Sequence, residues 1–153
     1  MDLILWRHAE ANELHGEDAD LDRALTTKGE RQAKRVAAWL NTQLPAGARL
    51  LSSPARRAQQ TAAALDRKIK TVAELGPEGH VEGLLHAVRW PDAREPVLVV
   101  GHQPTLGLAA AYLLAAQPQA WAVRKGAVWW LRGREREGVL QVVLHAVVSP
   151  ELV

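Results

Sequence analysis

Two histidines and two arginines stand in or just after short apolar runs of this 153-residue sequence. Arg7 and His8 follow the run LILW, and His102 follows VLVVG, whereas Arg57 lies in SSPARRA. Guanidinium forks bind phosphate through paired, charge-assisted hydrogen bonds. A neutral imidazole nitrogen can attack phosphorus and carry a covalent phosphoryl group. These residue types therefore predict a phosphate pocket that is capable of phosphoryl transfer.

The elements that must hold these side chains alternate along the chain. Short apolar runs predict strands, and apolar residues at intervals of three and four predict helices. The predicted strands span 3–6, 49–51, 70–72, 96–100, 126–131 and 139–148. The predicted helices begin at Thr26 or Thr27 with periodicity to Leu44, at Pro54 with the segment ending at Arg67, and span 82–89 and 104–115. Thr26 or Thr27 can cap the first helix, and Thr27 with Glu30 has the capping-box spacing. For the second helix, Ser53 is the predicted N-cap and Pro54 the first helical residue.

This alternation predicts an α/β fold in which a mostly parallel central sheet carries helices on both faces, a three-layer sandwich. The length suits one domain over residues 1–153. Residues 10–24 and the charged segment 132–138 are predicted to be a loop and a solvated turn. Because ligands of such folds bind beyond the carboxyl ends of strands, one crevice can collect Arg7, His8, Arg57 and His102.

Charge and composition exclude several kinds of partner. The 19 basic and 17 acidic residues are interspersed, so no basic stripe for nucleic acid is expected. The apolar runs are too short to cross a bilayer, and the first residues lack the pattern of a signal peptide. No cysteine is present, which excludes disulfides and thiol chemistry. The expectation is a cytoplasmic protein without a membrane partner.

Metal and cofactor chemistry is not expected. The histidines lie far apart in the sequence, no H-E-x-x-H or P-loop pattern occurs, and the arginines already supply positive charge. A histidine that lies outside a recognisable sequence motif is usually a structural or surface residue. That interpretation is given to His15, His80, His86 and His145.

Four blocks, in this order, carry a resemblance to a known family. They are LILWRHAEA, LTTKGERQA, SSPARRAQQTA and VLVVGHQPTLG, and they lie between residues 3 and 107. Together they resemble the histidine phosphatase superfamily, which includes phosphoglycerate mutases and acid phosphatases. The short chain looks most like the compact, SixA-like branch of phosphohistidine phosphatases. The resemblance implies a phosphoglycerate mutase-like fold.

The same resemblance implies roles for individual residues. His8 becomes the nucleophile, Arg7 its phosphate-binding neighbour, Arg57 the second arginine and His102 the second histidine. Arg56, one place early in the motif, is expected on the surface or rim. Ala9 stands where the family usually has glycine, and it fits if the backbone there is not left-handed.

Three functions remain open at this point. The preferred one is a metal-independent phosphatase that hydrolyses phosphohistidine on a protein through phospho-His8. Imidazole, with a conjugate-acid pKa of about 6.5, leaves readily without a strong acid. Relatives place an acidic glutamate after the third strand, and neither Glu74 nor Glu78 matches that position.

The first alternative is a phosphomonoesterase of small molecules that uses one of these glutamates, and the second is a non-catalytic phosphate-binding module. The partner is then a phosphorylated protein or a small phosphorylated substrate, and the sequence does not indicate an oligomeric state.

Overall fold

A single mixed sheet organises the protein, for which the computed structural model describes residues 1–16 and 19–153. The strands are β1 (Asp2–Arg7), β2 (Arg49–Ser52), β3 (Lys70–Thr71), β4 (Val97–Gly101), β5 (Val128–Arg136) and β6 (Val139–Val148). The α-helices are α1 (Thr27–Gln43), α2 (Arg56–Ala63), α3 (Val81–Val88) and α4 (Thr105–Ala115). Short 3₁₀ turns lie at Asp20–Asp22, Ala73–Leu75 and Pro150–Leu152.

The first four strands form the parallel part of the sheet. The strand order is β3-β2-β4-β1-β5-β6. β2 pairs in parallel with β3 and β4, and β4 pairs in parallel with β1. β5 then runs antiparallel to both β1 and β6. The predicted α/β class with a mostly parallel sheet is therefore confirmed, and β4 is buried along its full length, as its unbroken apolar run requires.

Helices cover both faces of the sheet and make three layers. On one face, α1 and α2 contribute Val36, Leu40 and Ala62 to a core that includes Ile4 and Val100. On the other face, apolar residues of α3 and α4 pack against alternate residues of the same strands, namely Leu84, Val88, Leu106 and Ala110 against Leu3, Leu5, Val97 and Val99. Within the described ranges, no helix combines the length and apolarity needed to span a membrane.

Of the two predicted caps of α1, Thr26 is confirmed, because its Oγ1 accepts the Gly29 amide at 3.0 Å. The capping-box spacing of Thr27 with Glu30 is not used, because Thr27 is already the first residue of the helix. The predicted start of the second helix was wrong. In α2 the first helical residue is Arg56, so Ser53 is not its N-cap and Pro54 precedes the helix. The Ser53 hydroxyl is instead bonded to a histidine side chain.

The predicted charged turn at 132–138 was also wrong. β5 continues to Arg136 and β6 begins at Val139, so only two residues form the turn. Glu137 and Gly138 both have positive φ, 52° and 77°, as a two-residue hairpin turn that follows the strand twist requires. The predicted loop at 10–24 contains the turn Asp20–Asp22 and a bridge from Ala11 to Leu25; its residues 17 and 18 lie outside the described part.

Candidate active site

Three neighbouring strands end side by side at one edge of the sheet. Arg7 is aligned with Gly101 across the β1–β4 pair, and the His8 amide donates to the Gly101 carbonyl at 3.1 Å. On the other side of β4, the Ser53 amide donates to the Val100 carbonyl at 3.0 Å. The register of the parallel strands thus places His8, His102 and Ser53 in one row just beyond their carboxyl ends.

The His8 ring is oriented by its own following peptide. Its Nδ1 lies 2.7 Å from the Ala9 carbonyl oxygen, and because a carbonyl can only accept, the neutral ring carries its proton on Nδ1. Nε2 therefore keeps its lone pair. The Ala9 amide donates to Thr61 Oγ1 at 3.0 Å, and Ala9 does not have a positive φ, so alanine fits this position without strain.

His102 faces His8 across a short gap. The centroids of the two rings are 5.2 Å apart and their planes are inclined by 52°. His102 Nε2 lies 2.7 Å from Ser53 Oγ. Its other nitrogen, Nδ1, is buried and has no hydrogen-bond partner within residues 1–16 and 19–153. One nitrogen of this ring is therefore bound to the protein, and the other is available to a ligand.

The two predicted arginines are held differently. Arg57 is only 3% exposed, and its two terminal nitrogens donate to Asp20, at 2.9 Å to the backbone oxygen and 3.1 Å to Oδ2. Arg7 donates through NH1 to the Val123 carbonyl at 2.8 Å. The Nε of each arginine is buried without a partner in the described part of the chain. Arg56, in contrast, is exposed.

Burial and neighbouring charge keep both histidines neutral. Burial, together with the guanidinium groups of Arg57 and Arg7, lowers the pKa of His8 to about 4. Burial also lowers the pKa of His102 to about 3, with His8 and Arg57 acting in the same direction. At pH 7 the site therefore combines two neutral imidazoles with two guanidinium cations, which suits an anionic ligand and an uncharged nitrogen nucleophile.

An acidic cavity lies beside this cluster. It has a volume of about 1000 Å³, and four carboxylates line it, those of Asp20, Glu74, Glu78 and Glu82. No lysine or arginine is among its described lining residues. Both candidate acids, Glu74 and Glu78, therefore belong to this cavity, and Asp20 connects it to Arg57.

The remaining histidines play no part in the cluster. His15, His80, His86 and His145 are all exposed, and His145 packs edge-on against Trp130 with a centroid distance of 5.4 Å. Among the residues that the structure describes, no group of three or more histidine, aspartate or glutamate side chains is arranged to hold a metal ion.

Sequence reasoning did not find three residues of the site. Ser53 was assigned to a helix cap, although its hydroxyl contacts His102. Thr61 joins α2 to the end of β1 by accepting from the Ala9 amide and donating to the Arg57 carbonyl at 2.7 Å. Asp20 lies in a loop without periodicity, where no pattern distinguishes it from its acidic neighbours. Ser53 and Thr61 both lie in the SSPARRAQQTA block, so the motif did contain a signal.

The comparisons with known proteins agree with this geometry. The model of the histidine phosphatase superfamily (branch 1) matches residues 3–78. An uncharacterized protein of Picosynechococcus is 40% identical over an alignment of 121 positions, and the match covers 70% of this chain and 69% of that protein. The chain belongs to the histidine phosphatase superfamily.

Solved structures extend the likeness over nearly the full chain. A protein of Nakamurella multipartitia, assigned as a phosphohistidine phosphatase SixA, is 27% identical, with a TM-score of 0.79 over 97% of this chain and 95% of that one. The protein histidine phosphatase SixA in complex with tungstate is 25% identical, with a TM-score of 0.76 over 99% of both chains. At 18% identity, phosphatases of phosphoserine and of glucosyl-3-phosphoglycerate share the fold alone.

Proposed function

We propose that this protein is a metal-independent phosphatase that hydrolyses phosphohistidine on a protein through a covalent phospho-His8 intermediate. The observation that carries the proposal is the neutral His8 ring, fixed through Nδ1 to the Ala9 carbonyl, beside His102, the buried Arg57 and the half-buried Arg7. A mere phosphate-binding module has no use for a nitrogen nucleophile poised in this way. The family and fold are those of a phosphatase.

The reaction takes two steps in this proposal. The lone pair on His8 Nε2 attacks phosphorus, and the bond from phosphorus to the leaving group breaks with its electron pair on that group. The ring becomes cationic, and its Nδ1–H strengthens its bond to the Ala9 oxygen. Water then attacks phosphorus from the same side as the departed group, the P–Nε2 bond breaks, and phosphate leaves. Arg7, Arg57 and His102 donate to the peripheral oxygens and stabilise their charge in both transition states.

The leaving group favours phosphohistidine over an alkyl phosphate. When the ring of the phosphohistidine is protonated on its other nitrogen, the P–N bond breaks to release neutral imidazole, whose conjugate acid has a pKa of about 6.5. An alkoxide, in contrast, requires protonation by a nearby acid. Among the described residues, the buried polar side chains include His8, His102 and Arg57 but no carboxylate. Glu74 and Glu78 are exposed residues of the adjoining cavity. The likeness to SixA supports the same substrate class.

The cavity beside the site favours a protein over a small metabolite. A sugar bisphosphate or a nucleotide brings extra negative charge, which the four carboxylates would repel. A protein segment with neutral or basic residues next to its phosphohistidine would be attracted, and a cavity of about 1000 Å³ has room for several side chains.

A substrate comparison tests the proposal. The purified protein is given a phosphohistidine protein, an aryl phosphate and a panel of sugar phosphates, each with and without EDTA. Phosphohistidine and aryl phosphate should be cleaved well and sugar phosphates poorly, with no effect of EDTA. Glu74→Gln and Glu78→Gln should change phosphohistidine cleavage by less than about tenfold, because protonation of imidazole is a small part of the barrier.

The opposite pattern of substrate cleavage would identify the protein as a phosphomonoesterase of small molecules. If sugar phosphates are cleaved at comparable rates and either glutamate substitution abolishes that cleavage, the protein is a metabolite phosphatase with a glutamate acid. If EDTA abolishes the activity and a divalent ion restores it, the metal-independent mechanism is contradicted.

A further inference from the structure

Ser53 contacts one of the two histidines and has no role in the mechanism above. We propose that Ser53 is a positioning residue that holds His102 in the tautomer with its proton on Nδ1, so that Nδ1–H donates to a phosphoryl oxygen. The contact is the 2.7 Å approach of Ser53 Oγ to His102 Nε2. This inference rests on the proposed function, because it concerns how the same site binds phosphate.

The hydrogen bonds of Ser53 determine which atom donates. Its Oγ accepts the Ala55 amide at 3.1 Å, and the side chain is fully buried. Its hydroxyl hydrogen therefore needs an acceptor inside the protein, and His102 Nε2 is the acceptor within reach in the described part of the chain. If Nε2 carried the proton instead, the buried hydroxyl hydrogen would have no acceptor within residues 1–16 and 19–153, which is unfavourable.

The backbone around Ser53 is fixed, so its hydroxyl cannot turn away by a loop movement. The Ser53 amide donates to Val100 at 3.0 Å. Its carbonyl accepts both the Ser52 hydroxyl at 3.0 Å and the Gln59 side-chain amide at 2.7 Å. The β2–β4 pairing thus positions Oγ opposite the His102 ring.

The tautomer matters because a neutral imidazole has a single N–H. With the proton on Nδ1, the buried nitrogen that lacks a protein partner in the described chain is a donor. With the proton on Nε2, the same nitrogen would present a lone pair to phosphate oxygens and repel them. Low proton affinity of the ring, a consequence of burial, prevents a second proton from removing this distinction.

Nitrogen NMR of histidine-labelled full-length protein tests the tautomer directly, without any substrate. The His102 signals are identified by their loss in His102→Gln. The expected result is protonated Nδ1 and unprotonated Nε2 in the wild type and in Ser149→Ala, a serine-to-alanine control at a residue whose side chain makes no cap hydrogen bond. In Ser53→Ala we expect the proton to move wholly or partly to Nε2. An Nε2–H tautomer in the wild type overturns the inference.

Steady-state kinetics with the aryl phosphate then test whether the His102 tautomer affects catalysis. Ser53→Ala should lose between about tenfold and about 10³-fold in kcat/KM, by analogy with removal of one donor to a developing oxyanion. Ser53→Thr, which keeps the hydroxyl, should recover most of that loss, and Ser149→Ala should stay within about twofold of the wild type.

Activity loss in Ser53→Ala with an unchanged His102 tautomer contradicts the positioning role, and so does unchanged activity. If Ser53→Ala does not fold, the inference is tested by the His102 tautomer in the wild type and by the activity of Ser53→Thr. A protein with the Nδ1–H tautomer but no phosphatase activity would refute the proposed function and leave the tautomer assignment intact.

Discussion

The parallel and the antiparallel halves of the sheet contain similar residues, but these residues have different roles. In the parallel half, β1, β2 and β4 are buried and end together, and the polar residues that follow them converge. In the antiparallel half, β6 pairs with β5 alone and exposes much of its apolar sequence. Its exposed apolar residues are Val139, Leu140, Val143, Leu144 and Val147.

The comparison of the two halves shows that the position of a side chain in the sheet determines its burial and its role. His8 and His102 lie at the buried strand ends and are neutral through burial, whereas His145 lies exposed on β6 against Trp130. Val97 of β4 is fully buried and Val143 of β6 is 54% exposed. Parallel strands covered by helices on both faces exclude water from their ends, and an edge strand does not.

The largest expected contrast is between His8 and His145. His8→Asn should lower kcat by at least about 10³-fold, because it removes the nucleophile, and His145→Gln should leave kcat within about twofold. Acid quenching during turnover should trap an acid-labile, base-stable phosphoryl label on His8 of the wild type. Label on another residue, or none while turnover is confirmed, would reject the covalent route.

Two adjacent arginines give the next contrast. Arg57→Ala should lower kcat/KM by about 30-fold to 10³-fold, corresponding to about 2–4 kcal/mol for a lost contact to a developing anion. Arg56 is exposed, so Arg56→Ala should cost less than about threefold. Steady-state kinetics on the aryl phosphate measure both. Equal losses, or the reverse order, would show that the second arginine motif is misassigned.

These expectations depend on features that the sequence predicts well. The short apolar run VLVV lies between Pro96 and Gly101, which favours a buried strand over a helix. The polar residues after the run then fall at the carboxyl end of that strand. The β5–β6 hairpin is confirmed, but its turn was predicted too long, because Arg134, Glu135 and Arg136 are charged like a turn. These three residues are exposed in β5, where a strand tolerates charge. The Ser53 and Asp20 contacts depend on three-dimensional register and loop position, which local patterns do not encode.

The same substitution in the two halves tests burial itself. Val97→Ala should lower the free energy of unfolding by about 2 kcal/mol, since it removes buried methyl groups and leaves a small cavity. Val143→Ala, on the exposed strand, should change it by less than about 0.5 kcal/mol. Urea unfolding at constant pH measures both. Equal destabilisation would mean that the exposed face of β6 is covered in solution.

The smallest expected change is the response of the two site histidines to mild acid. A ring with a pKa of about 4 is only about one-tenth protonated at pH 5, whereas an unperturbed histidine, with a pKa of about 6.5, is almost fully protonated there. Lowering the pH from 7 to 5 should therefore leave the ring signals of His8 and His102 nearly unchanged in an NMR titration. The unfolded chain takes up these protons below about pH 6.5, so the two histidines should destabilise the fold progressively as the pH falls from there towards 4. A titration midpoint near 6.5 for either ring would show that burial and the arginines do not lower its pKa, and would contradict the electrostatic account of the site.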